Sequence, residues 1–257
     1  MGVIATAAVA PMLRTGDVRA EQVTQVVLGE TADVIQHEGE WYHLRLHGDG
    51  YEGWVHRGYL RECEDREMVT WRERASVRSG GALVVTTREA RQPLPMRACV
   101  AMQGDDVELP DGRHGRIVAG TVYTAPLGAE RLKWQWAIER LEGVPYEWGG
   151  VTGRGLDCSG LVQTTWLAFG IQLPRDASQQ ATAGDAAPLE ALEPDDLLIF
   201  RGETTDRITH IGIHADGDTL VHSTIACAGV VREPWGPGSR AAALRTRLVG
   251  ARRIPLI

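Results

Sequence analysis

The chain has 257 residues, 43% hydrophobic and 24% charged, the proportions of a globular protein with room for two or three small domains. A formal net charge of −7 argues against nucleic acid or an anionic membrane as the main partner. No segment approaches the ~18 consecutive apolar residues of a spanning helix, and the four cysteines, Cys63, Cys99, Cys158 and Cys227, lack the spacing of a disulfide framework or a four-cysteine zinc site.

The opening stretch, "MGVIATAAVAPMLRTGD", has no positive leading region, and Pro11 interrupts its apolar run early. It reads as a strand of the mature protein and not as an export signal, so a cytoplasmic location is expected, in keeping with unpaired cysteines. Residues up to about 124 are rich in short alternating runs. "TADVIQHEGEWYHLRLHGDGYEGWVHRGYL" alternates apolar and polar residues around turn signals at Glu38-Gly39 and Asp49-Gly50, which predicts a meander of short strands with the texture of a small barrel. "DGYEGWV" at Asp49–Val55 recurs as "DGRHGRI" at Asp111–Ile117, a hairpin followed by a strand in both copies. The spacing of about sixty residues predicts two barrels, the second without the first copy's Tyr and Trp.

The texture then changes. Leu132, Trp136, Ile138 and Leu141 follow helical spacing up to a stop at Gly143, and a second helix is predicted from about Cys158 to Phe169, ended by Gly170. "DDLLIF", "THIGIHA" and "DTLVHS" read as strands. The second half is therefore α+β, helices first and an antiparallel sheet after them.

Cys158 is placed in the first turn of its helix with Asp157 as N-cap, where the helix dipole favours a thiolate and lowers the thiol pKa. A small, buried, inert cysteine is the alternative, and it is the commoner fate of a lone Cys. A nucleophile needs a base within reach, and the base an orienting group. If Ala215-Asp216-Gly217 form a three-residue hairpin loop with Gly217 left-handed, His214 faces Asp218, Gly212 faces Leu220, and His210 faces His222 on one side of the sheet. A two-residue Asp-Gly turn would put the two histidines on opposite faces. His214 falls near the hairpin end, outside the set. Metal binding by Cys158, His210 and His222 is the rival reading, and it lacks a further ligand at suitable spacing. Upstream, a Tyr146 hydroxyl could donate to a developing oxyanion beside the Cys158 N–H; core packing of Tyr146 and Trp148 before the Gly149-Gly150 turn is the alternative.

Taken together, "PYEWGG", "LDCSGLVQ", "LPRDASQQ" and "THIGIHADGDTLVHS", in that order, resemble the NlpC/P60 cysteine peptidases, and "GEWYHLRLHGDGYEGWV" resembles a bacterial SH3 domain. The arrangement is similar to the γ-D-glutamyl-L-diamino-acid endopeptidases that cut murein peptides. The resemblance implies a papain-like α+β catalytic domain over residues 125–257, preceded by small all-β SH3-like barrels over 1–65 and 66–124. It implies Cys158 as nucleophile, His210 as base, His222 as orienting residue and Tyr146 as helper at the oxyanion, with no metal and no organic cofactor. It further implies Trp148, Asp157, Ser159 and Ser178 as substrate-binding residues, and Glu30 and Tyr51 as closing over a free N-terminal L-Ala amine. The expected partner is a small murein-derived peptide, with no nucleic acid and no membrane, acted on by a monomer in cell-wall peptide recycling. A catalytically silent peptide-binding module, or an amidase or acyltransferase on the same Cys-His framework, is the competing expectation.

Overall fold

Period-two alternation builds the first half of the chain. In "WYHLRL" the side chains of Tyr42, Leu44 and Leu46 are buried, while Trp41, His43 and Arg45 point the other way. The computed structural model describes residues 1–123, 127–128 and 130–255. The chain divides into two compact units, Met1–Ala125 and Pro126–Ile257; the expected boundary at 124/125 lies outside the described residues.

The first unit begins with seven strands, β1 (Gly2–Ala5), β2 (Val9–Leu13), β3 (Gln22–Val27), β4 (Thr31–Glu38), β5 (Trp41–Leu46), β6 (Glu52–His56) and β7 (Leu60–Cys63), ordered 3-2-6-5-4-1-7. Helix α1 (Asp65–Arg74) follows, and then β8 (Val77–Ser79), β9 (Leu83–Thr87), β10 (Arg91–Leu94), β11 (Cys99–Gln103), β12 (Asp106–Glu108), β13 (His114–Ala119) and β14 (Val122–Tyr123), ordered 10-9-13-12-11-8-14. Shifting the second set by seven gives the order of the first, so the weak Asp-Gly repeat marks one topology used twice. Gly50 and Gly112 take left-handed conformations at equivalent turns, β5 to β6 and β12 to β13. Each sheet is an open ladder among the described residues and not the closed barrel expected. Helix α1 was not foreseen. Its Met68 and Trp71 bury with Ile4 and Cys63 from the first sheet and Cys99 and Ala101 from the second, so it joins the two copies.

The second unit opens with α2 (Lys133–Leu141), a short hairpin of β15 (Val151–Thr152) and β16 (Gly155–Leu156), α3 (Cys158–Ala168) and α4 (Ala177–Gln180). An antiparallel sheet follows, built from β17 (Asp185–Ala187), β18 (Leu197–Arg201), β19 (Ile208–His214), β20 (Thr219–Thr224), β21 (Gly229–Pro234) and β22 (Leu248–Arg253), in the order 17-22-18-19-20-21. Nearly every residue of α3 is buried, small and polar ones included, because it packs against both α2 and β19. A helix enclosed in this way has no polar face, which is why an amphipathic stripe describes it poorly.

Candidate active site

Cys158 is the first residue of α3. Asp157 caps the helix, its Oδ1 accepting from Gly160 N at 2.7 Å. The Gly160 backbone presses on the β15 approach so closely that a Cβ there would lie 2.0 Å from the Gly150 carbonyl oxygen, which explains why glycine follows the Cys-Ser pair. The Asp157 carboxylate does more than cap. Its Oδ2 accepts from Gly149 N at 2.9 Å, and both oxygens meet the Arg175 guanidinium, at 3.1 and 2.5 Å. Arg175 also donates to Ser159 Oγ at 2.8 Å, and Gln180 Nε2 donates to the Ser159 carbonyl at 3.0 Å. The Cys158 turn is thus locked from the segment "LPRDASQQ", but through Arg175 and Gln180. Ser178, the residue expected to act there, lies exposed on α4. Neither Arg175 nor Gln180 was singled out in the sequence. A charged residue fifteen or more positions after a capping Asp carries no local signal.

The histidines lie on one sheet face, as parity requires, but in a different register. The ladder pairs Ile213 with Val221 and His214 with Leu220, and Ala215 N bonds the Thr219 carbonyl at 3.0 Å, so the three-residue loop is Asp216 to Asp218. Gly217 is left-handed as expected. Gly212 then lies opposite His222, where an added Cβ would come 3.1 Å from the His222 Cβ. His210 and His222 are diagonal neighbours, and the rings meet over the vacant glycine position with His210 Nε2 2.8 Å from His222 Nδ1. A two-residue register shift preserves the face and changes the partner. His214 is apart, its ring nitrogens 3.0 Å from the carbonyls of Glu193 and Gly217.

The line continues one strand further. His222 Nε2 is 2.7 Å from Glu233 Oε1, and Glu233 is held by Arg240, whose Nε donates to Oε2 at 2.9 Å and whose NH2 donates to Oε1. Glu233 on β21 faces Leu220, while His222 faces Val231, so this contact is again a diagonal step on one face. The chain of acceptors fixes the protons. Glu233 accepts from His222 Nε2, which leaves Nδ1 of a singly protonated His222 to accept from His210 Nε2. The free lone pair of His210 is therefore on Nδ1, which is the nitrogen able to act as base. Glu233, the penultimate residue of β21, was missed in the sequence, because it meets His222 across a strand pairing that no spacing rule supplies.

The sulfur lies beside this line, with the backbone N–H groups of Ile211 and Ser159 directed at it. Burial, together with the Asp157 charge, pushes the Cys158 thiol up to about 12; the two N–H groups and Arg175 pull it down and do not prevail. The expected lowering by the helix dipole is overturned, because the cost of desolvating a fully enclosed thiolate exceeds what one helix terminus supplies. Burial, aided by the nearby His222 and Arg247, holds His210 down at about 3. Burial would raise Glu233, yet its bonds from His222 and Arg240 outweigh this and lower it. At neutral pH Cys158 and His210 are thus a thiol and a neutral imidazole. Burial, with Cys158 and the Asp157 carboxylate nearby, keeps the Tyr146 phenol protonated, hence a donor. Tyr146, His210, His222, Arg240 and Arg247 line one cavity of ≈310 Å³. Trp148 is 58% exposed, which excludes the core-packing alternative for it.

In the first unit, Glu30 accepts from Val27 N at 2.9 Å and faces Arg97 at 3.4 Å, and Tyr51 packs on the core of the first sheet. Glu30, expected at the substrate amine, and Asp157, expected at the substrate, each already have an arginine of their own unit.

A cysteine heading a buried helix, with a histidine-bearing antiparallel sheet against it, is the papain-like α+β arrangement. The chain belongs to the NlpC/P60 family. That family's pattern matches residues 143–243, and the bacterial dipeptidyl-peptidase SH3 domain matches residues 12–60. A γ-D-glutamyl-L-lysine dipeptidyl-peptidase of Bacillus subtilis is 27% identical over 220 residues, covering 78% of this chain and 71% of that protein. A probable endopeptidase of Haemophilus influenzae is 32% identical over 128 residues, 49% of this chain and 74% of that one. The crystal structure of an NlpC/P60 family protein from Bacillus cereus shares the fold at a TM-score of 0.84 and 21% identity, covering 99% of this chain and all of that one.

Proposed function

We propose that the protein is a cysteine peptidase that hydrolyses the γ-D-glutamyl–L-diamino-acid bond of small murein-derived peptides. The observation that carries this is the line Glu233–His222–His210, ending one residue from the Ile211 N–H that faces the Cys158 sulfur. With thiol and imidazole both neutral at rest, proton transfer accompanies attack instead of preceding it. His210 Nδ1 takes the Cys158 proton as the sulfur bonds to the γ-carbonyl carbon. The resulting oxyanion accepts from the Tyr146 hydroxyl and the Cys158 N–H. Collapse breaks the C–N bond, the departing amine takes the proton from His210, and a thioester remains. Water, giving a proton to His210, attacks the thioester; the sulfur leaves and recovers that proton, and L-Ala-γ-D-Glu is released.

Preference for a free N-terminal L-Ala belongs to the same reading. It is supported by the likeness to a protein named a dipeptidyl-peptidase, and Glu30 and Tyr51 are the residues to test. Asp157 serves by holding the nucleophile's turn, because Arg175 already answers its charge. An enzyme limited to peptides with a free amine acts on fragments released from the wall, which suits recycling in the cytoplasm.

The test is to incubate the protein and its Cys158→Ala variant with L-Ala-γ-D-Glu-diaminopimelate and with the N-acetylated peptide, following products by mass. We expect L-Ala-γ-D-Glu from the free peptide, a rate loss on the order of 10⁴-fold in Cys158→Ala, and much slower cleavage of the acetylated form. Absence of Cys158-dependent cleavage of either peptide sinks the peptidase reading. Equal cleavage of both sinks only the amine requirement.

A further inference from the structure

The cavity beside His210 holds a charge that no carboxylate of the described residues answers. Its walls include two arginines, Arg240 and Arg247, together with Thr209, Thr224 and Ile225. Arg240 is matched by Glu233, which it grips through two nitrogens. Arg247 is different. Its Nε donates to the Arg201 carbonyl at 2.9 Å, and no carboxylate of the described residues lies within 4 Å of its guanidinium. One bond to a backbone carbonyl fixes the side chain and leaves the planar end of the fork for a bidentate acceptor.

The place of this cation in the reaction follows from which half of the substrate lies there. Cys158 is not among the cavity's walls, whereas His210 is. The departing amine must take its proton from His210, so the leaving half of the peptide lies on the His210 side of the scissile bond. Resting on the peptidase reading above, we propose that Arg247 is the anion-binding residue of a leaving-group subsite and that it pairs with a carboxylate of the diamino acid. Two carboxylates have this chemistry: the α-carboxylate of a diamino acid that ends the peptide, and the side-chain carboxylate of diaminopimelate. A lysine side chain offers an ammonium instead, which Arg247 repels.

The pairing also has a catalytic consequence. Arg247 is close enough to His210 to disfavour its protonation, and His210 must become cationic as the thiol is consumed. A substrate carboxylate seated on Arg247 cancels that repulsion at the moment it matters, so the advantage falls in kcat as well as in KM.

Four peptides separate the possibilities: L-Ala-γ-D-Glu joined to diaminopimelate with both carboxylates free, to diaminopimelate as its α-amide, to lysine, and to lysine α-amide. Each is assayed for kcat and KM with the wild type, Arg247→Gln and Arg247→Lys. In the wild type, at least one carboxylate-bearing peptide should exceed the lysine amide by about tenfold or more in kcat/KM. In Arg247→Gln that ratio should fall to within about twofold, and Arg247→Lys should restore part of it. An advantage shared by the lysine acid assigns the α-carboxylate; one confined to the two diaminopimelate peptides assigns the side-chain carboxylate. Cleavage of all four at similar rates by the wild type overturns the subsite whatever the variants do. So does an Arg247→Gln variant that cleaves but keeps the full ratio. No cleavage of any peptide by the wild type overturns the peptidase reading itself, and the subsite with it.

Discussion

Two acid–arginine pairs lie beside Cys158 and the His210–His222 pair, and they are built differently. On the thiol side, Asp157 and Arg175 are 8% and 1% exposed and are further tied to Ser159, Gly149 and Gly160. On the imidazole side, Glu233 and Arg240 are 13% and 43% exposed, and among the described residues their hydrogen-bonded connection to His210 runs through His222. The charges also act in opposite senses. Asp157 raises the Cys158 thiol pKa and so works against the thiolate, while Glu233 stands at the end of a line that becomes more favourable when His210 turns cationic. The thiol side is thus organised for geometry and the imidazole side for charge. A buried pair shows itself through the penalty of breaking it; a partly solvated pair shows itself in the titration of what it touches.

The sharpest way to break the comparison is Arg175→Leu. It strands Asp157 in the interior with its backbone donors but no counter-charge, and removal of one member of a buried pair costs about 3–5 kcal/mol. Urea unfolding of the whole chain should show the second unit destabilised by that order, with activity falling as the nucleophile's turn loosens. A change below about 0.5 kcal/mol, the range of an ordinary surface substitution, would falsify the structural role given to this pair.

Glu233→Gln comes next in size and should behave in the opposite way. Gln keeps the shape and can still accept from His222 Nε2, but it removes the negative end of the line. We expect kcat to fall on the order of 10²-fold with KM nearly unchanged, since the lost interaction strengthens only as His210 becomes cationic. The melting temperature should stay within a few degrees of wild type, because the site is partly solvated. A drop in stability to match the drop in rate would move Glu233 from a positioning residue to a structural one.

Local signals carried much of this design in the sequence, and distant pairings did not. The face shared by His210 and His222 follows from side-chain parity, which survives the two-residue shift in their register. The helix start at Cys158 was legible from the Asp157 cap. The thiol pKa was not, since helix position is written locally and enclosure by β19 and α2 is not. Arg175, Gln180 and Glu233 were out of reach for the same reason: each meets its partner across elements whose packing no spacing rule supplies. Helix α1 was missed because its apolar residues, Met68 and Trp71, are too few to stand out until both sheets are there to bury them. Trp148 is exposed, which removes core packing as its role.

The smallest effect, and the one that most sharpens the contrast, belongs to Arg240→Gln. Among the described residues Arg240 makes no hydrogen bond to His222 or His210, and it acts on Glu233 through two hydrogen bonds. Burial raises the Glu233 pKa, while His222 and Arg240 together bring it below the ordinary carboxylate value. Deleting Arg240 leaves burial opposed by His222 alone, so the Glu233 pKa rises. The carboxylate then takes up its proton at a higher pH on acidification, and with it the line loses its negative end. His210 itself is held down at about 3, so its own protonation cannot produce this change. The acid limb of kcat/KM should therefore move to higher pH in Arg240→Gln, while the rate on the alkaline plateau changes by less than about fivefold, as for an exposed pair. A pH–rate profile of the two proteins on the same peptide measures both numbers. An acid limb that stays in place would mean that Glu233 is charged for reasons other than Arg240, and that the imidazole side, like the thiol side, is held by geometry.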